Sequence, residues 1–140
     1  MNAPLIAAQS RDGALTTGGV KRGGIVLPFP PKVLWPNGRT LNHKFKAAAF
    51  KKAREQAAWA AKAANVRVGD SPIPVHITVC PKAKGPAPDA DNIVAAFKAY
   101  GDGIASALGI NDRHFAAPTV TISPNRTGQF IIHIGQGEQP

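Results

Sequence analysis

Twenty-three consecutive residues, His43 to Asn65 (HKFKAAAFKKAREQAAWAAKAAN), contain neither glycine nor proline, in a chain of 140 residues that has 14 of the first and 13 of the second. The run is dense in alanine, the residue that loses least on entering a helix, so it predicts a long helix. Ala49, Phe50, Ala53, Ala57, Ala60 and Ala64 follow the three-and-four spacing of one helical face. Lys44, Lys51, Lys52, Arg54 and Lys62 occupy other positions. Most of those cations read as a solvated face, and a minority are free to meet a polyanion.

A helix of that length must bury its alanine stripe against something, and the rest of the chain supplies a sheet and a second helix. "GGIVLPFPPK" reads as a short strand stopped by Pro28, Pro30 and Pro31, which lack backbone donors and confine it to an edge or a sheet exit. "WPNGRTLN" is turn chemistry. In "SPIPVHITVCPKAK", Val75, Ile77 and Val79 alternate with His76, Thr78 and Cys80, the pattern of a strand with one apolar face. His76 there reads as a packed or solvated side chain. A second helix is expected from about Asp91 to Leu108, stopped at Gly109, and "PTVTISPNRTGQFIIHIG" reads as two strands around a Pro-Asn-Arg-Thr-Gly turn. The order β-α-β-α-β-β describes an α/β fold: one small domain with a mixed sheet and two main helices. Residues 1–24, rich in Gly, Thr and Ala without periodicity, read as a mobile arm before a domain spanning 25–140.

Composition narrows the function classes. A lone cysteine, Cys80, forms no intramolecular disulfide and reads as a packed thiol in a reducing compartment. The amino terminus lacks the charged and apolar regions of a secretion signal, and no window of about 18 apolar residues occurs, so a soluble cytoplasmic protein with no membrane partner is expected. Charge is informative by position. Residues 1–88 carry fourteen Lys/Arg against three Asp/Glu, a net +11, whereas residues 89–140 carry three against five. The basic excess points to a polyanion, since neutralising phosphates releases counterions and supplies affinity independent of sequence.

The sign changes at Asp89, and four of the eight acidic residues follow closely: Asp89, Asp91, Asp102 and Asp112. Projected at about 100° per residue, the second helix puts Ile93, Phe97, Tyr100, Ile104 and Leu108 on one side. Ala95, Lys98 and Asp102 share the side of Asp91. Asp89 and Asp91 flank one residue, and in extended backbone such positions face the same way. Asp91 as a helix cap and Asp112 as a turn residue are the plain alternatives. Carboxylates so close repel unless a cation is shared, and oxygen ligands alone suit a hard ion such as Mg²⁺. Spacing leaves open whether Asp112 reaches Asp89. Paired Cys/His motifs for zinc, a phosphate-cradling glycine loop and a nucleophile elbow are all absent.

The proline-rich strand, the basic helix and "DADN" leading "IVAAFKAYGDGIASALGINDRHF" together resemble the RusA family of Holliday-junction resolvases, over about residues 25–134. The resemblance implies a homodimeric, Mg²⁺-dependent endodeoxyribonuclease, with Mn²⁺ as a substitute, that cleaves four-way junctions or related branched DNA in recombination and repair. It places the metal ligands at Asp89, Asp91 and Asp112. A lysine found in some members one turn after the second aspartate is Ala95 here, and Lys98 is the candidate to take its catalytic, phosphate-facing part. The basic run before the aspartates is reduced to Lys82 and Lys84. These two, with Arg39, Lys44, Lys51 and Arg113, are the expected DNA contacts. The rival reading is a non-catalytic basic DNA- or RNA-binding protein whose aspartates only cap helices and solvate a surface.

Overall fold

The computed structural model describes residues 24–36, 43–66 and 68–135. The expected arm thus lies outside the described residues except for Gly24, and so does Arg39. Four strands and two helices follow the expected order: β1 (Gly24–Pro28), α1 (His43–Ala64), β2 (Val75–Cys80), α2 (Ala90–Leu108), β3 (Thr119–Ile122) and β4 (Gln129–Ile134). They form a small α/β domain with a mixed four-stranded sheet in the order β1-β4-β2-β3. β4 is antiparallel to both β1 and β2, and β2 is parallel to β3.

The helix ends obey local chemistry. α2 stops where Gly109 adopts the left-handed conformation (φ 71°, ψ 28°), and its N–H and that of Ile110 close the last turn onto Ser106 and Ala105 carbonyls. β1 is an edge strand, as its prolines require. Val75, Ile77 and Val79 of β2 are buried as alternation predicts, and the Cys80 thiol is buried too.

The last two strands, expected around a turn, do not pair with each other. Residues 123–128 cross the end of β2 instead: the Ser123 N–H donates to the Val79 carbonyl (2.8 Å) and the Gly128 N–H to Pro81 (2.9 Å). This crossing inserts β4 into the sheet interior, with Phe130 and Ile132 fully buried. Phe130 meets the rings of Phe29, Trp35 and Tyr100 edge-on. The Tyr100 hydroxyl donates to the Pro28 carbonyl at 2.7 Å, tying α2 to the edge strand, and burial pushes its pKa up to about 12.

Ile93, Phe97, Tyr100 and Ile104 of α2 enter the core as projected. The buried arc is nevertheless wider, because Ala96, Ala99, Gly103 and Ala105 are buried as well. The cause is α1, whose Ala53, Ala57 and Ala61 are buried by packing against α2. Small residues on both sides let the backbones approach: a Cβ on Gly103 would lie 2.1 Å from the Arg54 carbonyl oxygen. Along α2 the exposed positions are Ala90, Asp91, Ala95, Lys98 and Ser106, with Asp102 half-buried beside them. Among the described residues no helix is long and apolar enough to cross a membrane.

Candidate functional site

The stripe of α2 left open by this packing carries Asp91 and Asp102, Asp89 precedes the helix and Asp112 follows it, and the fold sorts the four into two pairs. Asp89 caps α2 with extended backbone (φ −75°, ψ 152°), and its carbonyl accepts the first helical hydrogen bond from Ile93 at 2.9 Å. Its carboxylate makes no cap bond. The helix begins at Ala90, so Asp89 and Asp91 do not share the extended geometry that spacing suggested; Asp91 is turned onto the first helical turn. Both side chains are exposed and have no hydrogen-bond or ion-pair partner among the described residues. Carboxylates there are favoured by the positive end of the helix dipole.

Asp112 belongs to the other pair. It opens a short 3₁₀ turn, Asp112–His114, capped by Asn111, whose side-chain oxygen accepts from the Arg113 N–H at 3.0 Å. Lys98 Nζ lies 2.7 Å from Asp112 Oδ2 and 3.2 Å from Asp102 Oδ1. Lys98 therefore bridges the middle of α2 to the segment after it. Asp102 is eleven residues beyond Asp91, or about 16 Å along the helix. Among the described residues no three His, Cys, Asp or Glu side chains gather to hold a metal ion, so Asp89, Asp91 and Asp112 are not brought together as one ligand set.

The bridge has a definite electrostatic order. Its hydrogen bond to Lys98, then that to Asp102, holds the Asp112 carboxyl below the ordinary range. Desolvation, then the hydrogen bond with Asp112, raises Asp102, and Lys98 is raised chiefly by Asp112. The expected result of an NMR titration of the side-chain carboxyl carbons is that Asp102 takes up its proton at higher pH than Asp112. The Lys98–Asp112 pair, whose carboxyl is depressed, should persist above the unfolded carboxylate range and weaken only as pH falls through the lowered Asp112 value. Titration of Asp112 before Asp102 would reverse this order.

The basic candidates are placed unequally. Lys82 and Lys84 are exposed on the loop that leads into Asp89, and Lys82 Nζ sits 5.4 Å from the centre of the Phe29 ring. Lys44 and Lys51 are exposed on α1, and Arg113 on the 3₁₀ turn. Sequence reasoning missed Arg126. Its guanidinium donates from Nε to the Ala83 carbonyl (3.3 Å) and from Nη2 to that of Gly85, pinning the β3–β4 crossing to the Lys82–Lys84 loop. Nothing in linear spacing links residue 126 to residues 83–85. His76 is a packed strand residue: its Nδ1 is 2.6 Å from Thr119 Oγ1, and burial lowers its pKa.

No protein-family model matches the chain. It is 36% identical over 126 residues to an uncharacterized protein of Xylella fastidiosa, a match that covers 86% of this chain and 82% of that one. By likeness of this extent the chain belongs to the same family as the Xylella protein.

Proposed function

We propose that this protein is a divalent-cation-dependent endodeoxyribonuclease of RusA type that cleaves branched DNA as a two-fold homodimer. The observation that carries the reading is the pair of exposed carboxylates, Asp89 and Asp91, without a partner among the described residues, at the end of a loop bearing Lys82 and Lys84 and pinned by Arg126. A surface that only bound phosphate would gain nothing from bare carboxylates there, because they repel it.

The donor set fits a hard cation in a limited form. Mg²⁺ takes one or two carboxylates and leaves its other positions to water and phosphate oxygens, and Asp89 with Asp91 meets that demand without Asp112. When bound, Mg²⁺ or Mn²⁺ supplies charge neutralisation at the phosphate and a water of lowered pKa. The chain's own residues do the rest. Lys82 and Lys84 hold backbone phosphates on the approach to the carboxylates, which positions DNA without reading bases. Lys98 orients Asp112 at the far end of the stripe, its charge already matched by Asp102 and Asp112. Two identical sites related by a two-fold axis suit the two matched cuts that a four-way junction requires.

The test is a labelled four-way junction incubated with the protein with and without Mg²⁺. Cleavage is expected only with metal, and binding is expected to weaken steeply between low and moderate salt as counterion release predicts. A junction that is retarded but stays intact in Mg²⁺ would establish the non-catalytic binder instead, and a flat salt dependence would remove the phosphate contacts.

A further inference from the structure

The outer face of α1 carries two large, exposed aromatic side chains that lie outside the hydrophobic core. Trp59 is 75% exposed and Phe45 62% exposed. The other tryptophan shows what integration looks like: Trp35 stacks on Phe29 at 5.2 Å and its indole N–H donates to the Pro30 carbonyl at 2.9 Å. At about 100° per residue Phe45, Lys52 and Trp59 fall within roughly 40° of one another, a single row along the helix. The row spans about 21 Å at a rise of about 1.5 Å per residue. Ala53, Ala57 and Ala61 lie on the side buried against α2, so the row faces solvent.

Its chemistry selects a partner. Lys44, Lys51 and Lys62 flank the aromatics, and Lys62 Nζ sits 5.9 Å from the Trp59 ring centre. Glu55 is the one acidic residue among the helix's 22. Two copies meeting through this face would set lysine against lysine. A membrane surface asks for a continuous apolar stripe, and Lys52 interrupts this one. A strand with negative phosphates and unstacked bases satisfies both features, phosphates on the lysines and bases on the rings.

We propose that the outer face of α1 is a binding platform for single-stranded nucleic acid, with Trp59 stacking on an unpaired base. The platform rests on the nucleic-acid reading above but not on cleavage, and it directs the protein towards substrates whose bases are partly unpaired. Sequence tolerance follows, since every base offers a ring face.

Fluorescence anisotropy with the full chain tests it, using a labelled oligo(dT) and a labelled duplex of equal length, on wild type, Trp59→Ala and Trp59→Phe. Trp59→Ala is expected to weaken oligo(dT) binding roughly tenfold, the loss of about one stacked base, with duplex affinity within about twofold. Trp59→Phe should retain most of the affinity. Circular dichroism and thermal melting should not change, because the exposed ring supports no core contact. Unchanged oligo(dT) affinity in Trp59→Ala overturns the proposal, as does an equal loss on both DNAs. A loss confined to anionic phosphatidylglycerol vesicles, or a dimer-to-monomer shift in sedimentation, likewise assigns the face to another partner. Wild-type protein that binds neither DNA removes the nucleic-acid reading itself, whereas duplex binding with a silent Trp59→Ala removes only the platform.

Discussion

Gly103→Ala is expected to destabilise the fold by about 2–3 kcal/mol, even though alanine is the better helix former by about 1 kcal/mol. The added Cβ would meet the Arg54 carbonyl oxygen at 2.1 Å, its carbon at 2.9 Å and the Arg54 Cα at 3.0 Å. All three atoms are backbone, so no rotamer change relieves the clash and the two helices must move apart. Separation would loosen Ala53, Ala57 and Ala61, the fully buried residues of α1, from α2, and with them Ala49, Phe50, Ala60 and Ala64, which pack against the same core. Gly101→Ala provides the internal control. There the nearest atom is the Phe97 ring carbon Cε2 at 3.0 Å, a side-chain atom that can give way, and the change should lie within about 1 kcal/mol of neutral. Urea denaturation of both variants measures the difference. Equal midpoints for Gly103→Ala and wild type would show that the close approach of α1 and α2 is not a structural requirement.

Asp89→Asn and Asp91→Asn are each expected to lower Mg²⁺-dependent junction cleavage by more than about a hundredfold, since losing even an outer partner of a metal ligand costs about 10–100-fold. Junction binding in Ca²⁺ or without metal should be intact or tighter. Removing either charge removes repulsion from phosphate, and among the described residues neither side chain supports a cap bond or ion pair whose loss would unfold the protein. Asp112→Asn separates a second role. It breaks the 2.7 Å pair with Lys98, so its effect on single-turnover rate should match that of Lys98→Ala. Near wild-type turnover in Asp89→Asn or Asp91→Asn would take that residue out of the metal site. A loss in Asp112→Asn far beyond that in Lys98→Ala would give Asp112 a part of its own.

Both helices were legible from one dimension because their causes are local. The alanine-rich run from His43 needs no partner to prefer a helix, and Gly109 ends α2 by adopting a conformation that a side chain would resist. Proline made β1 an edge strand for an equally local reason, the absence of a donor. Alternation alone also placed Val75, Ile77 and Val79 in the core. The basic excess before Asp89 and the acidic stripe after it were visible as charge, and they remain the basis of the functional proposal.

Other features were set by residues far apart in the chain. β4 lies between β1 and β2 because residues 123–128 cross the end of β2, and a turn signal specifies a reversal without saying which strand it spans. α2 is buried over most of its circumference because α1 covers the side that a single-helix projection leaves to solvent. In the sequence Asp89, Asp91 and Asp112 formed one candidate ligand set. Folding parted them, starting the helix at Ala90 and so turning Asp91 away from the extended geometry it would have shared with Asp89, and bringing Asp112 back against Lys98. Backbone propensity acts over a few residues and can be read in order, whereas the position of a carboxylate relative to a lysine fourteen residues away is decided by how helices and strands pack around a common core.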